Sequence, residues 1–405
     1  MASVPFIAIA STVAMASSLA PSTWVALTPI PGTGQLPVFA LAVNPTNDEA
    51  VVAGNGQGDL YRSLDGGVKW TKVHAGKSGI LTISYSPFNP GFIVAGTRGA
   101  GALVSGDAGV HWSNAAGLDG RAVRAFGFAR SIMFAGTDRG VYSSIDGASW
   151  MQSGLSTVSI DTVAIAAVNT PIRLLAGGDS GGSAGIPLYQ SVDAGTTWTT
   201  LKPAVSGTIV TRLAAGPLPN KSQVRPILLG TNSGLFISAD NGATFTALSG
   251  GLLLPSTDYT LANFTSTHFD RFYVASDGGG AGSGGLWATG DSGKHFSSLQ
   301  PPLSSVTALA MSSDELPLLY VATFRASDHT SMLWAYHDTG GTPQPPSGFV
   351  VPTPATAART DTSGGSPFDL AKMVLSSQAP YIALGIGAVV VIVLAAVSQF
   401  RSRRS

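Results

Sequence analysis

The stretch Ser191-Val-Asp193-Ala-Gly195-Thr-Thr-Trp198 follows the pattern Ser-x-Asp-x-Gly-x-x-Trp, and it is not alone in the chain. Ser63-Leu-Asp65-Gly-Gly67-Val-Lys-Trp70 and Ser105-Gly-Asp107-Ala-Gly109-Val-His-Trp112 match it fully. Ser238-Ala-Asp240-Asn-Gly242-Ala-Thr-Phe245 and Thr289-Gly-Asp291-Ser-Gly293-Lys-His-Phe296 carry Phe for Trp, the latter also Thr for Ser. Ser144-Ile-Asp146-Gly147-Ala-Ser-Trp150 is one residue short, and Tyr336-His-Asp338-Thr-Gly340 keeps only the Asp-x-Gly core. Seven copies define a repeat protein.

The seven aspartates are spaced by 42, 39, 47, 47, 51 and 47 residues. Each box sits between short apolar runs that read as strands, four to a unit. In the first unit these are Ala40–Pro45, Ala50–Gly54, Asp59–Ser63 and Lys69–Val73. The second reads as Leu81–Ser86, Phe92–Gly96, Ala102–Ser105 and His111–Ser113, and the third as Val123–Phe128, Ile132–Gly136, Gly140–Ser144 and Ser149–Gln152. Four strands per repeat of roughly 40 to 50 residues is the signature of a β-propeller blade. A lone blade cannot cover both its faces, and radial stacking does. The expected fold is all-β: a seven-bladed β-propeller of four-stranded antiparallel blades.

The last unit supplies Val306–Met311, Leu319–Thr323 and Met332–Tyr336, and then Thr-Pro-Gln-Pro-Pro, which cannot continue a sheet. Ser22-Thr-Trp24-Val-Ala-Leu27 resembles the strand that follows each box. The expectation is that Trp24 completes blade seven and closes the ring.

The box residues have structural uses. A Ser hydroxyl and an Asp carboxylate two residues apart can accept backbone N–H groups that a turn leaves without ladder partners. Gly takes the left-handed backbone angle, and the aromatic packs between blades. Asp65, Asp107, Asp146, Asp193, Asp240, Asp291 and Asp338 are therefore read as fasteners, since seven equivalent catalytic aspartates make little chemical sense.

Composition narrows the function. The chain has 405 residues, only 11% charged, and a net charge of zero, which argues against nucleic acid as partner. It has no cysteine, so neither disulfides nor thiolate metal sites are available. Residues 1–20 resemble a secretory signal, with an apolar run Val4–Leu19 and small residues at Ala14-Met-Ala16, though without a basic start. Residues 21–340 hold the propeller, and 341–378 form a Pro/Thr/Ser-rich linker. Residues 379–400 include the apolar run Tyr381–Phe400, long enough for a transmembrane helix, followed by a basic tail at 401–405. The positive-inside rule puts that tail in the cytoplasm and the propeller outside it.

On these boxes, and on the recurring lead-in Ala135-Gly-Thr-Asp-Arg-Gly140-Val-Tyr, the chain resembles the Asp-box, or bacterial-neuraminidase-repeat, propellers. That superfamily includes sialidases, xyloglucan hydrolases, sortilin-type receptors and the photosystem II assembly factor. The sialidase pattern implies a Tyr–Glu nucleophile pair. Here the only glutamates, Glu49 and Glu315, fall in turns between first and second strands, on the box side of the ring. Sortilin-type receptors carry a cysteine-rich neighbour, and the xyloglucan-hydrolase type uses two propellers. The single-propeller assembly-factor type is the nearest design, and it implies protein binding without chemistry.

Ligand sites in that superfamily lie opposite the boxes. The loops expected there carry Arg98 on blade two, Arg121, Arg124 and Arg139 on blade three, and Asp179, Asp258 and Asp277 on blades four to six. Arg325, Asp328 and His329 belong to blade seven. Arginine forks favour carboxylate or phosphate partners. The expectation is a polarised protein-binding face, with a surface glycoside hydrolase or carbohydrate-binding propeller as the alternative, its acid–base pair drawn from the three aspartates. No cofactor or metal is expected: His111 and His295 follow the repeat, and the other histidines lack ligand spacing.

Overall fold

Strands of two to nine residues, punctuated by glycine-rich turns, fold here into seven four-stranded antiparallel sheets. The computed structural model describes residues 19–31, 36–168, 172–179, 181, 185–217, 224–251, 253, 257–278 and 284–346. The strands belong to a compact unit, Met1–Thr353; a second unit, Pro354–Ser405, lies outside the described residues. The expected transmembrane helix at 379–400, and residues 1–18 of the signal-like segment, also lie outside them.

Numbering the strands in chain order, β1 is Trp24–Ala26. Blade one is β2 (Ala40–Asn44), β3 (Asn47–Gly54), β4 (Leu60–Ser63) and β5 (Thr71–His74). Blade two is β6 (Ile80–Ser86), β7 (Asn89–Thr97), β8 (Ala102–Ser105) and β9 (Ser113–Asn114). Blade three is β10 (Val123–Phe128), β11 (Met133–Thr137), β12 (Gly140–Ser144) and β13 (Met151–Gly154). Blade four is β14 (Ser159–Ala167), β15 (Arg173–Asp179), β16 (Leu188–Ser191) and β17 (Thr199–Leu201). Blade five is β18 (Val210–Ala215), β19 (Ile227–Thr231), β20 (Gly234–Ser238) and β21 (Thr246–Ala247). Blade six is β22 (Leu261–Phe264), β23 (Phe272–Ser276), β24 (Gly285–Thr289) and β25 (Ser297–Ser298).

Blade seven has the order β26-β27-β28-β1, with β26 at Val306–Met311, β27 at Leu318–Arg325 and β28 at Thr330–His337. Trp24 pairs with Tyr336 and Ala26 with Trp334, so the amino-terminal strand completes the last blade as expected. The Trp24 indole is buried and donates to the Leu299 carbonyl of blade six at 2.8 Å. Two details extend this closure beyond the sequence reading. Leu19, assigned there to the signal-like run, is buried between blades seven and one. Gln344, assigned to the linker, bridges to Thr23 and exchanges backbone bonds with Ser22 and Trp24.

Seven apolar clusters form the core, one at each blade interface. The Ala-Gly-Thr lead-in now has a physical reading. A Cβ on Gly96 or Gly136 would stand 2.4 Å from the Val123 carbonyl or 2.9 Å from Ile160 Cγ2 of the next blade, and one on the equivalent Gly54, Gly177 or Gly230 2.4 to 2.5 Å from Ile80, Val210 or the Tyr259 carbonyl. These glycines let successive blades approach. The following Thr closes the next turn: the Thr137 hydroxyl donates to the Gly140 carbonyl and accepts from Arg139 N–H.

The fourth strands begin later than the sequence suggests. Trp70, Trp112 and Trp150 precede β5, β9 and β13, and each indole N–H is held by a carbonyl outside the ladder: that of Thr28 after β1, and those of Gly109 and Gly147 in the box turns.

Candidate functional site

Each box is a hydrogen-bonded knot. In the first, the Ser63 hydroxyl donates to Asp65 Oδ1 (2.8 Å) and accepts the Gly67 N–H (2.8 Å), while Asp65 Oδ1 accepts Val68 and Lys69 N–H. The same bonds recur around Ser105/Asp107 and Ser238/Asp240 and, each short of one N–H contact, around Ser191/Asp193 and Thr289/Asp291. Five boxes place two successive residues in the left-handed region, as at Ala194 (φ 57°) and Gly195 (φ 88°). The short box manages with Gly147 alone and keeps its bonds to Ser144 and Asp146. His111 and His295 pair with their own box aspartates at 2.6 Å, as the repeat reading required.

Box turns also bond to the start of the second strand of their own blade, beside the turn from the first, as Gly66 N–H does to the Glu49 carbonyl of β3 and Ala108 N–H to that of Gly91 in β7. Both sets of turns therefore share one face. Glu49 lies there, as does Glu315, whose carboxylate stands 3.3 Å from His268.

The opposite face surrounds the mouth of a central channel of about 630 Å³, walled by the innermost strand of every blade. Arg98 and Arg139 are exposed there, in the turns after β7 and β11. Arg121 is half-buried and paired with Asp138 at 3.3 Å. Arg124 belongs to a strand rather than a loop. It projects from β10 into the channel wall, reaching Asp161 of blade four at 3.3 Å and the Ser159 hydroxyl at 3.1 Å. Arg325 and Asp328 form a two-pronged pair (2.9 and 2.7 Å) inside the β27–β28 hairpin, and His329 stacks edge-on against Phe324.

The acidic side is more concentrated than expected. Asp179 ends β15 and is exposed. It couples to Asp161, which the sequence reading had not singled out: burial pushes the Asp161 carboxyl up and the Asp179 charge adds to it, against the pull of Arg124. Asp258 and Asp277 form a second pair. Burial, then the charge of Asp277, pushes Asp258 up to about 6, although Thr211 offers a restraining hydrogen bond. Among the described residues Oδ1 of Asp258 is buried with no hydrogen-bond partner.

The channel wall itself is stitched by side chains that no repeat position singles out. Thr211 caps the Tyr259 carbonyl of blade six, and Thr307 caps that of Val38 in blade one. Arg212 bridges to Ala262 and Asn263, and Arg225 to Gly216 and Ile165. Burial lowers the proton affinity of both guanidinium groups, Arg225 to about 10. Among the described residues, no group of three or more His, Asp or Glu is gathered in a metal-binding arrangement.

The fold and its channel define the class: a seven-bladed β-propeller. Solved structures similar to it include the WD40 repeats of RRP9 (TM-score 0.57, 14% identity, 78% of this chain and 97% of that one). YCF48 from Cyanidioschyzon merolae is similar over 78% of this chain and 98% of its own, at TM-score 0.53 and 15% identity. The GH74 xyloglucanase from Xanthomonas campestris is similar at TM-score 0.57 and 15% identity, over 78% of this chain but only 56% of the enzyme. At such identities the likeness is one of fold. No family model and no curated protein sequence matches the chain.

Proposed function

We propose that this chain is a membrane-tethered, extracytoplasmic Asp-box propeller that serves as a protein-binding or assembly scaffold through the face opposite the boxes. The observation that carries this reading is the segregation of charge there. Exposed Arg98 and Arg139 occupy one sector, and the Asp161/Asp179 and Asp258/Asp277 pairs occupy another. Such a pattern steers and orients a partner of complementary charge. The similarity to WD40 repeats and to YCF48, both single propellers matched over nearly their whole length, supports the same reading. Affinity capture of the full chain from membranes, with Arg98→Glu/Arg139→Glu and Asp179→Lys variants alongside, tests it. Partners lost in either variant support the scaffold; identical partner sets in all three reject it.

One observation favours glycoside hydrolysis as the second reading. A carboxyl pushed up to about 6 beside a second carboxylate is the asymmetry a general acid and its partner need. Release of reducing sugar from polysaccharide by the wild type, abolished in Asp258→Asn, would establish it.

A further inference from the structure

The two ends of the ring differ in a property that the repeat does not require. Twelve large apolar side chains are exposed among the described residues, and all but Leu36 and Phe39 belong to the box end of the ring. They sit in box turns, in the neighbouring turns and loops between first and second strands, or at the start of β13. The second position of the box is the clearest case. It holds Leu64 in blade one (56% exposed), Ile145 in blade three (80%) and Val192 in blade four (52%), but Ala239 and Gly290 in blades five and six. Val110 and Phe88 of blade two fill the sector between. A soluble surface has no physical reason to collect its branched aliphatics at one end. Such patches mark contact surfaces.

The path of the chain supplies the occupant. β28 runs toward the box turn and β1 runs back from it, so both ends of the folded ring leave from this face. Ser22 N–H bonds to the His337 carbonyl, and Gln344 N–H to the carbonyl of Ser22. The sequence beyond the folded ring is apolar over residues 4–18 on one side and over Tyr381–Phe400 on the other. Both chain ends therefore leave the ring on the side where these apolar side chains are exposed.

We infer that the box face of blades one to four rests on the membrane, with Leu64, Val110, Ile145 and Val192 in the lipid interface. The polar face is thereby turned away from the bilayer, toward partners. Side chains of this kind add interfacial affinity in proportion to the apolar area they bury. The inference rests on the tethered reading and orients it.

The absence of cysteine makes the test direct. The full chain is reconstituted with phosphatidylcholine vesicles carrying brominated acyl chains. It bears an environment-sensitive fluorophore at Ile145→Cys or Val192→Cys, or at Gln57→Cys on the opposite face. Labels at 145 and 192 are expected to shift to the blue and be quenched, and the label at 57 to stay water-like. Quenching at none of the three, or equally at all three, overturns the inference. So does a label at 145 or 192 shielded from aqueous quencher but untouched by brominated lipid, since a protein then covers the face. Alkaline carbonate extraction of the same samples reports the tether separately. Retained protein without quenching at 145 and 192 overturns the surface and spares the tether. Extractable protein with quenching there does the reverse. An Ile145→Ser/Val192→Ser variant, whose sites are already exposed, is expected to keep its thermal midpoint and lose the quenching of a third label at Leu64→Cys.

Discussion

Tyr273 of blade six donates its phenolic hydroxyl to the Asp338 carboxylate of blade seven at 2.5 Å, in the one box that has neither Ser nor Thr at its first position. Tyr336 stands where the others carry Ser or Thr, so Asp338 lacks the short hydroxyl that bonds the other box aspartates. It turns inward instead, is buried, and also takes Arg271 Nη1 at 3.3 Å and the Gly340 N–H at 2.9 Å. A fastener within a blade has become a clamp between blades, beside the seam where the ring closes. Asp338→Ala would strand the Arg271 cation and the Tyr273 hydroxyl, and its expected cost is about 3–5 kcal/mol. Tyr273→Phe removes one charge-assisted bond and should cost about 1.5–3 kcal/mol. Urea unfolding of both variants checks the order; equal costs would mean the clamp is not the carboxylate.

The seam itself rests on Trp24, whose ring centroid lies 4.7 Å from that of Tyr336. Trp24→Ala removes a buried indole, its stacking partner and its bond to Leu299, and should destabilise the propeller by about 3–5 kcal/mol. Val25 is only partly buried in the same strand, so Val25→Ala should cost much less. Paired denaturation midpoints for the two variants test whether the strand closes the ring through its tryptophan.

What the sequence made legible was whatever repeats. Seven boxes with strand-length apolar runs between them specify blade number, strand order and the closing role of Trp24. Periodicity also exposed His111 and His295 as box neighbours. It was blind to departures from the repeat. Arg124 groups with the loop charges although Val123–Phe128 reads as a strand; in five blades the first strand begins with a bulge, here between Val123 and Ala125, and Arg124 lines the channel there. Asp161 is a neighbour of Arg124 only across a blade interface, 37 positions away in the chain. The inward turn of Asp338 depends on Arg271 and Tyr273, which no local spacing connects to it. Pairing of Arg325 with Asp328 was within reach of the sequence, being three residues apart in a hairpin.

The blade-approach glycines give a graded expectation. At Gly230 a new Cβ would stand 2.4 Å from the Tyr259 carbonyl, a backbone atom that cannot step aside. At Gly136 it would meet Ile160 Cγ2 at 2.9 Å and the Ile160 carbonyl only at 3.1 Å, a looser approach. Neither glycine has a positive φ, so the difference is one of space alone. Gly230→Ala should cost about 1–3 kcal/mol, and Gly136→Ala visibly less. Thermal melts that rank the two in the opposite order would show that the interface between blades five and six yields more readily than that between blades three and four.

Opposite pH dependences are expected from the two faces. On the box face, hydrogen bonds from Thr197 and its N–H hold Asp193 down to about 2, and bonds from Thr244 and its N–H outweigh burial to do the same for Asp240. A carboxyl depressed in the folded state contributes stability at all pH above its unfolded value, near 3.9, and loses it as pH falls through about 2. With the same direction of shift at Asp107, Asp146 and Asp291, the thermal midpoint should fall steeply between pH 4 and 2. Asp193→Asn should make that fall shallower. On the channel face the sign reverses. Asp258 sits at about 6 in the fold, so its favourable contribution is complete below the unfolded value and is lost as pH rises through 6. Asp258→Asn should therefore stabilise the propeller at pH 7.5, by on the order of 1 kcal/mol after allowance for solvent screening, and leave it unchanged at pH 4. Melting curves of wild type and the two variants from pH 2 to 8 separate the faces, and an Asp258→Asn curve parallel to wild type throughout would remove the burial and the Asp277 charge as causes.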